Sequence, residues 1–205
     1  MKTIDLKKIL KPYYTASTAK PSIIDIPPMN ALMVDGMGDP SGPAFREAVG
    51  SLYSVAYTLK FAFKKDKAVD YPVMALEGLW YADDVTDFLT GKRDNWKWTI
   101  FITLPDVVTK KDVGEAVAAV KKKAKFPGFP EVRFEKFAEG RAAQVMHVGP
   151  YAAEGPTIER LHRFVEEQGY QLRGKHHEIY LSDPRRSAPE KLRTIIRHPV
   201  EKAKP

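Results

Sequence analysis

The chain has 205 residues, a hydrophobic share of 43%, 11% aromatics and a net charge of +7. That is enough apolar material for a packed core, which excludes a disordered chain. The absence of cysteine excludes disulfides, thiolate nucleophiles and cysteine-ligated zinc.

No apolar run reaches the roughly 20 residues needed to span a bilayer, so no membrane partner is expected. Lys7, Lys8 and Lys11 interrupt any leader-like stretch, and a cytoplasmic protein is the expectation. The positive charge sits in that lead-in, in the run from Lys121 to Lys125, at Arg185 and Arg186, and at Lys202 and Lys204. Such runs are usually solvated faces, and no helix-turn-helix, zinc-finger or aromatic-basic signature accompanies them. Direct contact with nucleic acid is therefore not expected.

In chain order, residues 1–20 read as a poorly packed lead-in, followed by one domain over 21–205. A strand from Ala31 runs into a glycine-containing loop, then Gly42-Pro43, then a helix with the apolar stripe Phe45, Val49, Leu52, Ala56, Leu59 and Phe63. Steps of three and four mark a helix, and proline suits its first position because no backbone donor is missed there. Strands follow over VMALEGLWYADD, from Val73, and WKWTIFITL, from Trp96. Thr109 and Asp112 form a capping box opening a helix to about Lys123, with Val113, Ala116, Val117 and Val120 on one face. FPGFP (Phe126 to Pro130) separates it from a strand over Val132 to Phe137.

The order then repeats. Gly149 falls on Gly36, Gly155 on Gly42 and Pro156 on Pro43, and a second helix carries Ile158, Leu161 and Val165. HHEIYLSDP falls on the strand of the first copy, Tyr180 on Trp80 and Asp183 on Asp83, and KLRTIIRHPV closes the chain as a strand. The expected class is α+β, a duplicated β-α-β-β module with antiparallel strands, helices on one side, and halves of about 21–125 and 126–205.

Alternation along the strand puts His176, Glu178, Tyr180 and Ser182 on one face and His177, Ile179 and Leu181 on the other, the apolar set being expected against the helices. Taken alone, the strand leaves Glu178 as surface. The repeat counters this, because Trp80 shares the equivalent face and an indole is costly to leave wet. Partial burial beside aromatic rings makes a carboxylate a better base near neutral pH.

Trp80 and Trp98 are the candidates to sandwich a planar ligand, ordinary core packing being the alternative. Tyr151 lies in the loop before the second helix, Tyr53 and Tyr57 ride the first helix, and Tyr180 neighbours Glu178. His176 and His177 point to opposite faces and no H-E-x-x-H occurs, so neither metal nor organic cofactor is expected. Asp83, Asp84 and Asp87 read as a helix start, GDPSGP lacks the Gly-Lys-Ser/Thr of a phosphate loop, and no G-x-S-x-G occurs.

The runs IPPMNALMVDGMGDP, EGLWYADD, RDNWKWTIFITLPD and HHEIYLSDPRRSAPEKLRTIIRHPV together resemble the stand-alone GyrI-like proteins, in the branch that includes cyclopropanoid cyclopropyl hydrolases. The resemblance extends from about Pro21. It implies a ligand cleft between two halves that takes flat, hydrophobic, often cationic molecules, with a glutamate as counter-charge. In the hydrolase branch it implies opening of a cyclopropane ring on DNA-alkylating natural products by water. On that reading Glu178 is the base and Tyr180 its positioning partner. Trp80, Trp98, Tyr151, Tyr53, Tyr57 and His176 are the ligand contacts, and the partner is an aromatic small molecule. A drug-sequestering binder and a gyrase-inhibiting interaction protein are the alternatives, and the sequence leaves the oligomeric state open.

Overall fold

A computed structural model of the chain describes residues 1–84, 86–123 and 129–203. The strands are β1 (Lys2–Thr3), β2 (Ser22–Ile26), β3 (Met29–Met37), β4 (Val69–Asp70), β5 (Leu76–Tyr81), β6 (Lys97–Leu104), β7 (Arg133–Phe137), β8 (Gly140–Val148), β9 (Tyr170–Leu172), β10 (His176–Tyr180) and β11 (Arg193–Lys202). The helices are α1 (Leu6–Ile9), α2 (Pro43–Asp66), α3 (Thr86–Leu89), α4 (Lys110–Lys123) and α5 (Gly155–Glu167). Helices over largely antiparallel sheet make the class α+β, and the strand–glycine–proline–helix order recurs in β3–α2 and β8–α5. Of the FPGFP run, residues 126–128 lie outside the described residues.

The chain forms two compact units, one of residues 1–9, 29–74 and 80–137, the other of 10–28, 75–79 and 138–205. This differs from a division at residue 125. The leading strand of each copy has been exchanged: β2 pairs antiparallel with β8, and β7 pairs antiparallel with β3.

In the first unit, β3 pairs antiparallel with β6, and α2 lies on both. The predicted stripe holds, with Leu52, Ala56, Leu59 and Phe63 buried along α2 over the strand face of Leu32, Val34, Ile100 and Ile102. Pro43 opens the helix at its first turn. The capping box of α4 forms as read, the Thr109 amide donating to Asp112 Oδ2 at 2.9 Å and the Asp112 amide to Thr109 Oγ1 at 3.3 Å.

Gly36 is required by contact: a Cβ there would lie 2.0 Å from Trp98 Cη2. Gly36→Ala is expected to cost about 1–3 kcal/mol through overpacking, measured as a lower urea midpoint. Its counterpart in the repeat serves another purpose, since Gly149 has φ +139° and turns the chain toward α5.

In the second unit, β8 and β10 flank β11 antiparallel, and β9 pairs the far end of β11. Leu161 and Val165 of α5 close over Ala143, Val145, Ile196 and Val200. Cross-strand register places Glu178 opposite Ile196, and Ile196 opposite Val145. Glu178 therefore shares the face that α5 covers, and the expected orientation of β10 is reversed. The other face, with Ile179, Ile195 and Met146, is covered by Tyr14, Ala16 and Ala75.

The lead-in is consequently packed, not loose. Leu6 and Leu10 are buried, β1 pairs with β4, and the Met146 amide donates to Ser17 O at 2.9 Å. Its anchor is a fully buried polar cluster. His177 Nδ1 lies 2.8 Å from Glu139 Oε1 and Nε2 3.2 Å from Glu77 Oε2. Arg197 reaches Glu139 Oε2 at 3.2 Å, donates twice to Gln144 Oε1 and once to the Tyr13 carbonyl. Tyr14 OH donates to Glu77 Oε1 at 2.5 Å, and Gln144 Nε2 to Thr15 O at 3.1 Å.

Burial alone would push the His177 imidazole down, but Glu139 and Glu77 outweigh it and hold it above its ordinary value. Burial alone would raise Glu139; His177 and Arg197 hold it below the usual carboxylate range. Paired in this way, the buried charges each meet an opposite partner.

Candidate functional site

The face of β10 under α5 carries His176, Glu178 and Tyr180. Both oxygens of Glu178 are engaged: His176 Nε2 donates to Oε1 at 3.0 Å, and Tyr180 OH donates to Oε2 at 2.8 Å. The Glu178 side chain keeps 14% of its exposure, so it is neither surface nor sealed core. A carboxylate fixed from both sides by its strand neighbours has one orientation. That is the pre-organisation a base or counter-charge requires.

Tyr151 stands over this group, its ring edge-on to Tyr180 at a centroid distance of 5.6 Å. The loop that carries it is pinned by His147. Pro150 O can only accept, so His147 Nε2 donates to it at 3.3 Å, and Nδ1 accepts from Thr157 Oγ1 at 3.0 Å. Burial first, then the nearby charges of Glu154, Glu178 and Asp183, push the Tyr151 phenol up to about 12. It is therefore a neutral hydrogen-bond donor across the physiological range.

Glu154 is the residue the sequence reading missed. It occupies the N-cap of α5, yet its side chain caps nothing and turns inward, 5% exposed. There burial, followed by the nearby Glu178 charge, raises its carboxyl to about 9. Thr194, opposite Tyr180 on β11, lies against it and pulls the other way. An acidic residue before Gly-Pro reads as an ordinary helix cap, which conceals this position in the sequence.

Behind Glu178, three imidazoles meet edge-on: His176 and His198 at 6.0 Å, His162 and His198 at 5.7 Å. Burial, then the other two imidazoles, pushes His198 down to about 3, and burial also lowers His162. His198 is neutral in the fold. Among the described residues no group of three His, Asp or Glu side chains is arranged to hold a metal ion. No helix there is long and apolar enough to cross a membrane.

These shifts set a pH dependence. Glu154 and His177 bind their protons more tightly in the fold than in the unfolded chain, so stability falls as pH rises above about 6.5. Glu139 and His198 do the reverse, and their effect grows as pH falls below about 4.5. Between those limits Glu154 and His198 oppose each other. Urea unfolding across pH is expected to show a maximum in that window, with a slope of about 1.4 kcal/mol per pH unit for each proton on either side.

The other predicted contacts belong to the first unit. Trp98 is 2% exposed and Trp80 8%, with Phe45 stacked on Trp80 at 5.7 Å and edge-on to Trp98 at 5.1 Å. Tyr53, Tyr57 and Phe61 form a ladder along α2 at 6.3 and 6.2 Å, Tyr57 and Phe61 being exposed. The structure thus brings Glu178, Tyr180, His176 and Tyr151 together in the second unit, and Trp80 and Trp98 together in the first. Asp83 and Asp84 lie before α3, whose start is capped by Asp84 Oδ1 accepting from the Thr86 amide at 2.9 Å.

Comparison with known proteins follows this geometry. A solved structure of a conserved protein of Listeria innocua superposes with a TM-score of 0.90 at 41% identity, covering 97% of this chain and 100% of that one. Two structures of a hydrolase from Listeria innocua superpose at 0.83 and 0.84, also at 41% identity, covering 97% and 98% of this chain and 100% of theirs. The C-terminal domain of EcmrR shares the fold at 16% identity, with a TM-score of 0.59, covering 90% of this chain and 98% of that one. No curated protein matches the chain. The model of the GyrI-like small molecule binding domain matches residues 19–201, and the chain belongs to that family.

Proposed function

We propose that the protein binds flat, hydrophobic, often cationic aromatic molecules at Glu178 and hydrolyses those that carry a cyclopropane conjugated to a carbonyl. The observation that carries this reading is Glu178, partly buried and clamped by His176 and Tyr180 beneath the Tyr151 ring. Support comes from the small-molecule-binding family and from the similar hydrolase of Listeria innocua.

In this mechanism Glu178 removes a proton from water as the water oxygen attacks the ring methylene. The ring C–C bond breaks, and its electron pair moves through the conjugated system to the carbonyl oxygen. Tyr151, neutral and edge-on to Tyr180, hydrogen-bonds that oxygen as negative charge develops; solvent then protonates the oxygen, and Glu178 releases to solvent the proton it took from water. Tyr180 orients the base. Ring strain supplies driving force, so one base and good positioning suffice.

The test is incubation with a cyclopropane-bearing DNA alkylator, following the ring-opened product by mass spectrometry and binding by isothermal titration calorimetry. Catalytic accumulation of product is expected. Stoichiometric binding without product would make the protein a sequestering module instead.

A further inference from the structure

In the first unit α2 and α4 lie against each other. Where α2 ends and α4 begins, Lys67 Nζ meets Asp112 Oδ1 at 2.6 Å. Toward the start of α2 and the end of α4, a cavity of about 860 Å³ opens between them. That is within the size range of small-molecule pockets.

The α2 wall of this cavity is built from residues too small to fill it. Glu47, Gly50, Ser54 and Thr58 follow at steps of three and four, which keeps them on one side of the helix, and Ser51 lies beside them. A Cβ at Gly50 would meet nothing within 4 Å. Packing therefore gives no reason for a glycine in mid-helix, where only proline is a poorer helix former. Ser51 is 2% exposed, and its Oγ has no hydrogen-bond partner among the described residues. A buried hydroxyl left in that state costs stability, and a ligand acceptor would relieve it. Val120 and Lys123 of α4, with Phe129, complete the lining.

Charge decides what fits. Arg46 and Lys123 are exposed and line the cavity. Arg46 Nη1 donates to Ser41 O at 2.7 Å, and neither cation has an ion-pair partner among the described residues. Glu47 is the one acid on the described lining, so two cations stand against one carboxylate. The positive end of α2 adds to this balance. Lys121, Lys122 and Lys123 in the last turn of α4 offset the negative end of that helix.

We propose that this cavity is a second binding site, sharing no residue with the Glu178 site, for organic anions: a carboxylate or phosphate on a flat apolar body. Ser54 Oγ already donates to Gly50 O at 2.7 Å, so Arg46, Lys123 and the Ser51 hydroxyl are the donors for the anionic group. The apolar body lies over Gly50, against Val120 and Phe129. Such a ligand is opposite in charge to the molecules proposed for Glu178, so the two sites do not compete.

The test is isothermal titration calorimetry of the full chain with 2-naphthoate, 2-naphthyl phosphate and the neutral 2-naphthamide. At least one anion is expected to bind with Kd below ~1 mM, and at least ~10-fold more tightly than the amide. The tighter of the two anions names the head group. Arg46→Gln and Lys123→Gln should each weaken that anion by at least ~5-fold. Gly50→Leu should fill the space and abolish anion binding. Its urea midpoint should equal or exceed wild type, because leucine is the better helix former and its Cβ meets nothing. Absence of anion binding, equal binding of the amide, or wild-type affinity in a folded Gly50→Leu overturns the site. If Gly50→Leu does not fold, the two glutamine variants decide, and unchanged affinity in both overturns it.

Discussion

Glu178→Gln is expected to lower the rate of ring opening by at least ~100-fold while ligand binding persists. The amide is nearly the same shape, its oxygen can still accept from Tyr180 OH, and its cross-strand place opposite Ile196 is unchanged. What disappears is the basic oxygen. A second consequence follows at Glu154, whose rise to about 9 owes part of its size to the Glu178 charge. In the variant the Glu154 carboxyl should titrate at lower pH, which carbon-detected NMR of the side-chain carboxyl would follow. A variant that keeps full turnover, or loses binding and turnover together, would remove Glu178 from the role of base.

The largest stability effect is expected on the face opposite the site, where Arg197 of β11 pairs across from His177 of β10. Arg197→Met removes one of the two cationic partners of Glu139, the two hydrogen bonds to Gln144 Oε1 and the donor to Tyr13 O. Removing one member of a buried charge pair leaves an uncompensated charge, at a cost of about 3–5 kcal/mol. The readout is the urea midpoint at constant m value. The double variant Arg197→Met, Glu139→Gln is expected to lose less than the sum of its parts, because the orphaned charge is gone. Additive losses would show that the cluster is not the anchor of the lead-in.

Much of this was legible from residues. The glycine–proline junctions at Gly42-Pro43 and Gly155-Pro156 mark both helix starts, the spacing of Leu52, Ala56, Leu59 and Phe63 marks the core side of α2, and Thr109 with Asp112 marks the start of α4. Alternation also placed Glu178 and Tyr180 on one face. Alternation cannot say which face a helix covers, and here the polar one lies under α5. The apolar face is covered by residues near Tyr14, whose role depends on Glu77, Glu139, His177 and Arg197 meeting in space from distant parts of the chain. Glu154 stayed hidden because its position has a commonplace explanation as a cap. The strand exchange of β2 and β7 was hidden for a similar reason, since a short strand's partner is a matter of tertiary structure.

The central claim is that the partly buried Glu178 carboxylate activates water. The most direct measurement is turnover of a cyclopropane-bearing alkylator in heavy-oxygen water, with the ring-opened product weighed by mass spectrometry. The account predicts one heavy oxygen in the wild-type product and no product above background with Glu178→Gln. Product without the label, or equal labelled product from the variant, would contradict it.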